Sequence, residues 1–322
     1  MQGSLIAYSS FNREVLTDLL ESSYDLGKVR LVFLKRGFND TYRVDSDQTS
    51  YILRVYRFGR RQHADIRSEL HILNQLHEAG IPISVPVPDR NGETIQTLPA
   101  PEGLRQLVLF SFTEGLAIRK PDLVQCHKTG EALARIHRTL KNTDPGPLAW
   151  NYEPEKVFAF VRDSVNPALQ PYPADLKWLD EFERIFREKM KSCELPAGIC
   201  HGDLQAENFY FTHSGDVSFI DFDFCGRGSL LYDLGAYTWY DHGGKSKEML
   251  QAFYSGYSSI LRLSVEELAL IPWFGALRGL FLMGMWNRFN DGVINPAWPP
   301  GQISAFVAKL QKWVPQHCGP IR

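Results

Sequence analysis

No two cysteines in this chain form a Cys-x-x-Cys pair, and the five present are an odd number. A disulfide framework or a paired-cysteine metal centre is therefore excluded as the organising principle, and free thiols in a reducing compartment are expected. An excess of charge is also missing. Lys and Arg total 35 against 37 for Asp and Glu, a net −2, which argues against a general nucleic-acid binder. The N-terminus has no basic segment followed by an apolar core, so no signal peptide is expected and the cytoplasm is the expected location. No apolar run reaches the roughly 20 residues of a membrane span. The most apolar stretch, Leu270 to Trp286, contains Pro272 and Arg278 and reads as a buried helix rather than a membrane segment. Internal repeats and low-complexity tracts are absent too. What remains is ordinary for a folded protein: 44% hydrophobic and 22% charged residues, with a length of 322 that suits one two-lobed domain or two domains.

One stretch organises the rest. It is Ile199-Cys200-His201-Gly202-Asp203-Leu204-Gln205-Ala206-Glu207-Asn208-Phe209-Tyr210-Phe211, followed by Val217-Ser218-Phe219-Ile220-Asp221-Phe222-Asp223. Two short aromatic and β-branched runs flank His213-Ser214-Gly215-Asp216, which supplies turn chemistry and predicts a hairpin. The hairpin carries Asp203, Asn208 and Asp221 to one end of a small sheet. Two acids and an amide so placed suit phosphoryl transfer, in which a carboxylate receives a hydroxyl proton while Asn and Asp hold Mg²⁺ against phosphates.

His-Gly-Asp-Leu-x-x-x-Asn resembles the protein-kinase loop H-R-D-L-x-x-x-N with Gly for Arg, and Ile-Asp-Phe-Asp resembles the metal-binding D-F-G segment. The His-Gly-Asp form is similar to that of the aminoglycoside phosphotransferase and choline kinase superfamily, with a looser similarity to bacterial stress-response and homoserine-kinase-like members. The resemblance implies an α+β, two-lobed, kinase-like fold. Its small antiparallel N-terminal lobe, with one helix, spans 1–110; a hinge spans 111–115; and a larger, mainly helical catalytic lobe spans 116–322. It also implies ATP and Mg²⁺ as cofactors, Asp203 as catalytic base or hydroxyl-orienting group, and Asn208 and Asp221 as metal ligands. His201 would brace the loop, and Asp233 would hold the loop backbone from the helix that follows.

The earlier part of the chain fits this scheme. Gly37-Phe38-Asn39-Asp40-Thr41-Tyr42-Arg43-Val44 reads as a turn between two strands that could cover nucleotide phosphates, because glycine allows close backbone approach; the alternative is an ordinary hairpin turn. Arg54, on the strand Tyr51 to Tyr56, takes the place of the kinase lysine and can bind phosphate bidentately. Glu69, beside the apolar stripe of a helix from Asp65 to Glu78, is its implied partner. Most of the four arginines from Arg54 to Arg61 are expected on a solvated face rather than as an anion patch. Asn91-Gly92 predicts a hairpin between Ser84–Pro88 and Thr94–Thr97. Ser111 and Thr113 are the implied backbone contacts to adenine.

In the second part, His137 on a strong helix from Pro121 to Leu140 reads as a packed residue rather than a catalytic one. Asp163, Asp175, Asp180 and Glu181 face either a cationic acceptor or solvent. Gly226 and Gly228 suggest a tight loop before a helix. Further helices are expected over Lys247–Leu261, Val265–Asn290 and Ile303–Pro315.

The expected acceptor is a small hydroxylated metabolite or an aminoglycoside-like compound, with protein Ser/Thr as runner-up; neither a nucleic-acid nor a membrane partner is expected, and oligomeric state is left open. Three other readings are weaker. Gly243-Gly244-Lys245-Ser246 ends like a P-loop, but Trp239 stands where glycine is required. His201, Asp203, Asp221 and Asp223 as hydrolase metal ligands would leave Asn208 and Glu69 unexplained. A non-catalytic nucleotide-binding scaffold would not need the full Asp203, Asn208 and Asp221 set.

Overall fold

Period-two alternation shapes the N-terminal part of the chain. In the computed structural model, which describes residues 8–118, 120–191, 193–239, 246–289 and 301–319, helix α1 (Arg13–Ser23) is capped by Asn12 and followed by β1 (Val29–Arg36), β2 (Asn39–Ser46) and β3 (Ser50–Tyr56). Helix α2 (His63–Glu78), β4 (Gln96–Ala100) and β5 (Gly103–Ser111) complete the unit. The strands form one antiparallel sheet in the order β1-β2-β3-β5-β4. Leu53 and Val55 of β3 pack with Leu107 and Leu109 of β5 against Leu16 and Leu20 of α1. By alternation Arg54 and Tyr56 point to the other face, where both meet Glu69 of α2. Two helices thus serve this sheet, α1 in addition to α2.

The predicted Asn-Gly hairpin does not form. Residues 89–93 make a local turn closed by Asp89, while β4 pairs with β5 across Pro101 and Glu102. A turn signal fixes only the local reversal; β5 is the longer and more buried partner and decides which strand pairs. Likewise Asn39 to Val44 belong to β2, so the β1–β2 connection is only Gly37-Phe38.

The rest of the chain is mostly helical. In order come α3 (Leu123–Thr139), β6 (Trp150–Tyr152), α4 (Pro154–Leu169), α5 (Pro173–Met190), β7 (Ala197–Cys200), β8 (Phe209–Phe211), β9 (Val217–Phe219) and β10 (Gly226–Ser229). Helices α6 (Leu231–Trp239), α7 (Lys247–Ser258), α8 (Val265–Phe289) and α9 (Gln302–His317) follow. Strands β8 and β9 are the antiparallel hairpin read from the sequence. Gly226 and Gly228 lie in a strand instead of a loop, with β10 between β6 and β7; a Cβ at either would strike Tyr152 within 2.8 Å. The helix expected to end at Asn290 is described to Phe289, and Gly243 to Lys245 lie outside the described residues.

Chain contacts divide the protein into two compact units, Met1–Glu114 with Asp144–Ala149 and Gly115–Thr143 with Trp150–Arg322. Among the described residues α8 alone is long and apolar enough to cross a membrane, yet 78% of its most apolar window is buried within the protein. None of the five cysteines is in a disulfide among the described residues.

Candidate active site

In the second unit, β7 delivers the chain to His201-Gly202-Asp203. Gly202 has φ of +82°, and an added Cβ would sit 2.1 Å from the Phe224 carbonyl oxygen and 2.4 Å from Tyr152 Oη. Neither the backbone conformation nor the space admits a side chain there. The N–H groups of His201 and Gly202 donate to the Asp233 carboxylate on α6, at 2.7 and 2.8 Å. His137 on α3 adds a third bond to that carboxylate, 3.0 Å from Nε2, and its Nδ1 faces Tyr257 Oη on α7 at 2.9 Å. Asp233 is wholly buried. Burial alone would push its carboxyl up, but His137, nearby His201 and the Gly202 N–H overcome it and hold Asp233 below the ordinary carboxylate range. An ionised carboxylate only accepts, so His137 donates through Nε2.

Both nitrogens of His201 are occupied as well. Nε2 donates to the Ile220 carbonyl at 2.9 Å, and Nδ1 accepts the Asp203 N–H at 3.3 Å. Ile220 in turn donates its N–H to the Asn208 carbonyl at 2.9 Å. Ile220 therefore ties the His-Gly-Asp loop to Asn208 and fixes where Asp221 begins. Asp221 is the only non-glycine with positive φ among the described residues, at +65°. That conformation costs about 1 kcal/mol and is kept immediately beside the tie. His201 is a brace, and the hydrolase-type metal reading loses its histidine ligand.

The Asp203 carboxylate is held on both oxygens. Oδ2 accepts from Gln205 Nε2 and Asn208 Nδ2, each at 2.9 Å. Asn208 Nδ2 also donates to the Asp203 carbonyl at 2.9 Å, so the amide oxygen of Asn208 faces away from Asp203. Oδ1 of Asp203 lies 2.5 Å from Arg278 Nη2, in the apolar middle of α8. Arg278 is only 1% exposed, its guanidinium flanked by the Phe224 and Phe281 rings and its Nη1 3.4 Å from Tyr232 Oη.

Helices α6 and α8 approach closely because Gly235 lies against the Gly275 backbone, where a Cβ would come within 2.5 Å. Asp233 and Arg278 thus grip the same loop from two helices in tight contact, one by its backbone and one by the Asp203 carboxylate. Sequence reasoning missed Arg278, His137 and Gln205 as members of this cluster. The available signal for Arg278 was a lone charge in an apolar helix, which must find a partner when buried.

Among the described residues no three His, Cys, Asp or Glu side chains gather as a metal site; the expected ligand pair is one amide and one carboxylate. Asn208 presents an amide oxygen, Asp221 a carboxylate, and the two residues are linked through the Ile220–Asn208 hydrogen bond. Two such oxygen ligands match the habit of Mg²⁺, which takes one or two protein groups and completes its shell with phosphate and water. Asp223 is 2% exposed in the turn after Asp221.

In the first unit, Arg54 Nη1 lies 2.9 Å from Glu69 Oε1, and Arg61 Nη1 lies 3.2 Å from Glu69 Oε2. Two guanidiniums share the Glu69 carboxylate. Of the two, Arg54 retains exposure, 11% of its side chain against none for Arg61, and it stacks 5.0 Å above the Phe110 ring. The expectation of a solvated arginine face is corrected: Arg61 is buried, Arg57 and Arg60 are half-buried, and Arg60 covers Phe38 of the β1–β2 turn at 4.0 Å. Asn39 is buried, with its side-chain oxygen accepting the Arg57 N–H at 3.4 Å, which is a bracing role. At Gly37 an added Cβ would meet nothing within 4 Å. Ser111 donates its N–H to Val85 and accepts from Ser84 Oγ, so the backbone donor expected to face adenine is spent inside the unit. Thr113 follows β5 and is half-buried.

The acids of α4 and α5 do not form a cation-binding wall. Asp175 accepts from Ser304, Glu181 pairs with Arg184, and Asp163 and Asp180 are exposed.

The fold is seen in solved kinases. A microcompartment-associated aminopropanol kinase superimposes with a TM-score of 0.77 at 21% identity, over 97% of this chain and all of that one. An amicoumacin kinase in complex with AMP-PNP and Ca²⁺ gives the same TM-score at 20% identity, over 97% and 95% of the two chains. The antiparallel sheet and the helical C-terminal part are those of the kinase-like fold. At the sequence level, a homoserine kinase of Mesorhizobium japonicum is 30% identical over 267 residues, covering 79% of this chain and 78% of that protein. The profile of the family described as "Phosphotransferase enzyme family" matches residues 31–268, and the chain belongs to that family.

Proposed function

We propose that this protein transfers the γ-phosphoryl group of ATP, with Mg²⁺, to a hydroxyl of a small metabolite. The observation that supports the reading is the bracing of Asp203 by Asn208 and of Asn208 by Ile220, the residue before Asp221. Asp203 orients the acceptor hydroxyl and takes its proton as the bond to phosphorus forms. Asn208 and Asp221 hold the cation, which when bound neutralises charge on the phosphates. Arg54, oriented by Glu69, binds phosphate through its planar guanidinium. Gly37 leaves open space at the β1–β2 turn, and Thr113 is the remaining candidate for a backbone contact to the base. His201 and Asp233 keep Asp203 in place. Acceleration on this view comes mostly from alignment and preorganised charge.

For the acceptor, the relative named homoserine kinase makes a hydroxylated amino acid the first compound to test. The engaged or solvated acids of α4 and α5 weigh against a polycationic aminoglycoside. The test is ADP release with Mg²⁺-ATP across a panel of hydroxy amino acids, amino alcohols, aminoglycosides and a generic protein substrate. Turnover with one small-molecule class, cut to a small residual rate in Asp203→Asn while AMP-PNP still binds, is the expected result. Phosphate on protein alone would transfer the reading to a protein Ser/Thr kinase, and wild-type turnover in Asp203→Asn would overturn the assigned roles.

A further inference from the structure

A cation buried in an apolar helix calls for a reason. Replacing a buried charge by a well-packed apolar side chain is often neutral or stabilising, whereas removing only one partner of a buried pair is costly. Arg278 is therefore poorly explained by the stability of α8. Its geometry offers a better reason. The guanidinium reaches Asp203 from outside the catalytic loop, across 75 residues of sequence.

The two oxygens of Asp203 are served differently. Oδ2 is held by neutral amides from Gln205 and Asn208, both on the loop itself. Oδ1 is held by a full charge anchored elsewhere. Arg278 is fixed in turn by Tyr232, which stacks on Tyr152 at 4.1 Å between ring centres, and by the close α6–α8 approach at Gly235. Tyr232 directly precedes Asp233, the residue that secures the backbone of the same loop. One helix pair thus sets both the height of the loop and the rotation of its reacting carboxylate.

We propose that Arg278 is a positioning residue for phosphoryl transfer: it fixes the rotamer of Asp203 through Oδ1 and keeps that carboxylate turned toward Asn208. The inference rests on the phosphotransferase reading above.

The experiment is a double-mutant cycle on the full chain with Mg²⁺-ATP and the acceptor found by the panel. Arg278→Met is expected to lower kcat about 100-fold, the scale of a 1 Å misplacement of a reacting group, with KM for ATP unchanged. Arg278→Lys keeps the charge without the planar fork and is expected to recover part of the loss. The decisive readout is non-additivity: in an Asp203→Asn background, Arg278→Met should cost no further activity, because the group it positions is already gone. If Arg278→Met does not fold, Arg278→Lys and its combination with Asp203→Asn supply the same comparison. Wild-type kcat in Arg278→Met, or a full additional loss in the double variant, would overturn the proposal while leaving the phosphotransferase reading intact. A wild-type protein inactive with every acceptor would overturn that reading, and this inference with it.

Discussion

Asp233→Asn tests the hub on which the catalytic loop hangs. The wild-type carboxylate accepts from two backbone N–H groups and from His137, all out of solvent. Asparagine keeps one acceptor oxygen and turns an NH₂ toward a donor, leaving at least one buried N–H without a partner. Such a group costs about 1–3 kcal/mol, and breaking a buried charge-assisted pair costs about 3–5 kcal/mol. We expect a loss of about 4 kcal/mol, which in a unit of this size lowers Tm by about 8–16 °C.

The loss has a pH signature. Asp233 titrates below its ordinary value when folded. Its contribution is complete above the unfolded carboxylate pKa of about 3.9 and disappears as pH falls through the lower folded value. The gap between wild type and Asp233→Asn should be full at pH 7, begin to close below about pH 4, and shrink further in acid. Urea unfolding at a series of pH values, with kcat measured alongside, reads both. A variant within about 1 kcal/mol of wild type at pH 7, or a gap that ignores pH, would refute the account.

Other residues respond to the same forces. Arg54→Met should raise KM for ATP about 10- to 100-fold with little change in stability, since one charge-assisted contact is worth about 1.5–3 kcal/mol; nucleotide titration checks it. Asp221→Gly and Asp221→Ala should both abolish metal-dependent turnover. Yet the glycine variant should be the more stable by about 1 kcal/mol, because only glycine adopts the left-handed backbone without strain; paired melting curves and activity assays separate the two effects. His137→Ala should destabilise by about 2–4 kcal/mol through the buried bonds it strips from Asp233 and Tyr257, and an unfolding midpoint equal to wild type would contradict that.

What could be read from the chain depended on the range of the interaction. The hairpin Phe209–Phe219 announced itself because its signal is local: alternating bulky residues around a turn. The pairing of β4 with β5 was invisible for the opposite reason, since Asn91-Gly92 gives a strong reversal but says nothing about which strand wins a partner. His137 and Arg278 find their partners 96 and 75 residues away, and a helix pattern around each conceals the contact. Ser111 was misjudged because backbone donors leave no imprint on side-chain identity, and here the donor was taken by Val85. The arginines near Arg54 were expected in solvent because charge usually goes there; Glu69 and the Phe38 and Phe110 rings gave them partners instead.

Gly202 carries a consequence for how such loops change over time. In this chain the hydroxyl of Tyr152 occupies the first atom's worth of room that any larger residue at 202 would need. An arginine could enter only after the tyrosine ring had withdrawn, and that ring also supports Tyr232 and the Phe224 carbonyl. The His-Gly-Asp and His-Arg-Asp spellings are thus separated by several coordinated substitutions, with unfit intermediates between them. Lineages that carry one form are effectively barred from drifting into the other.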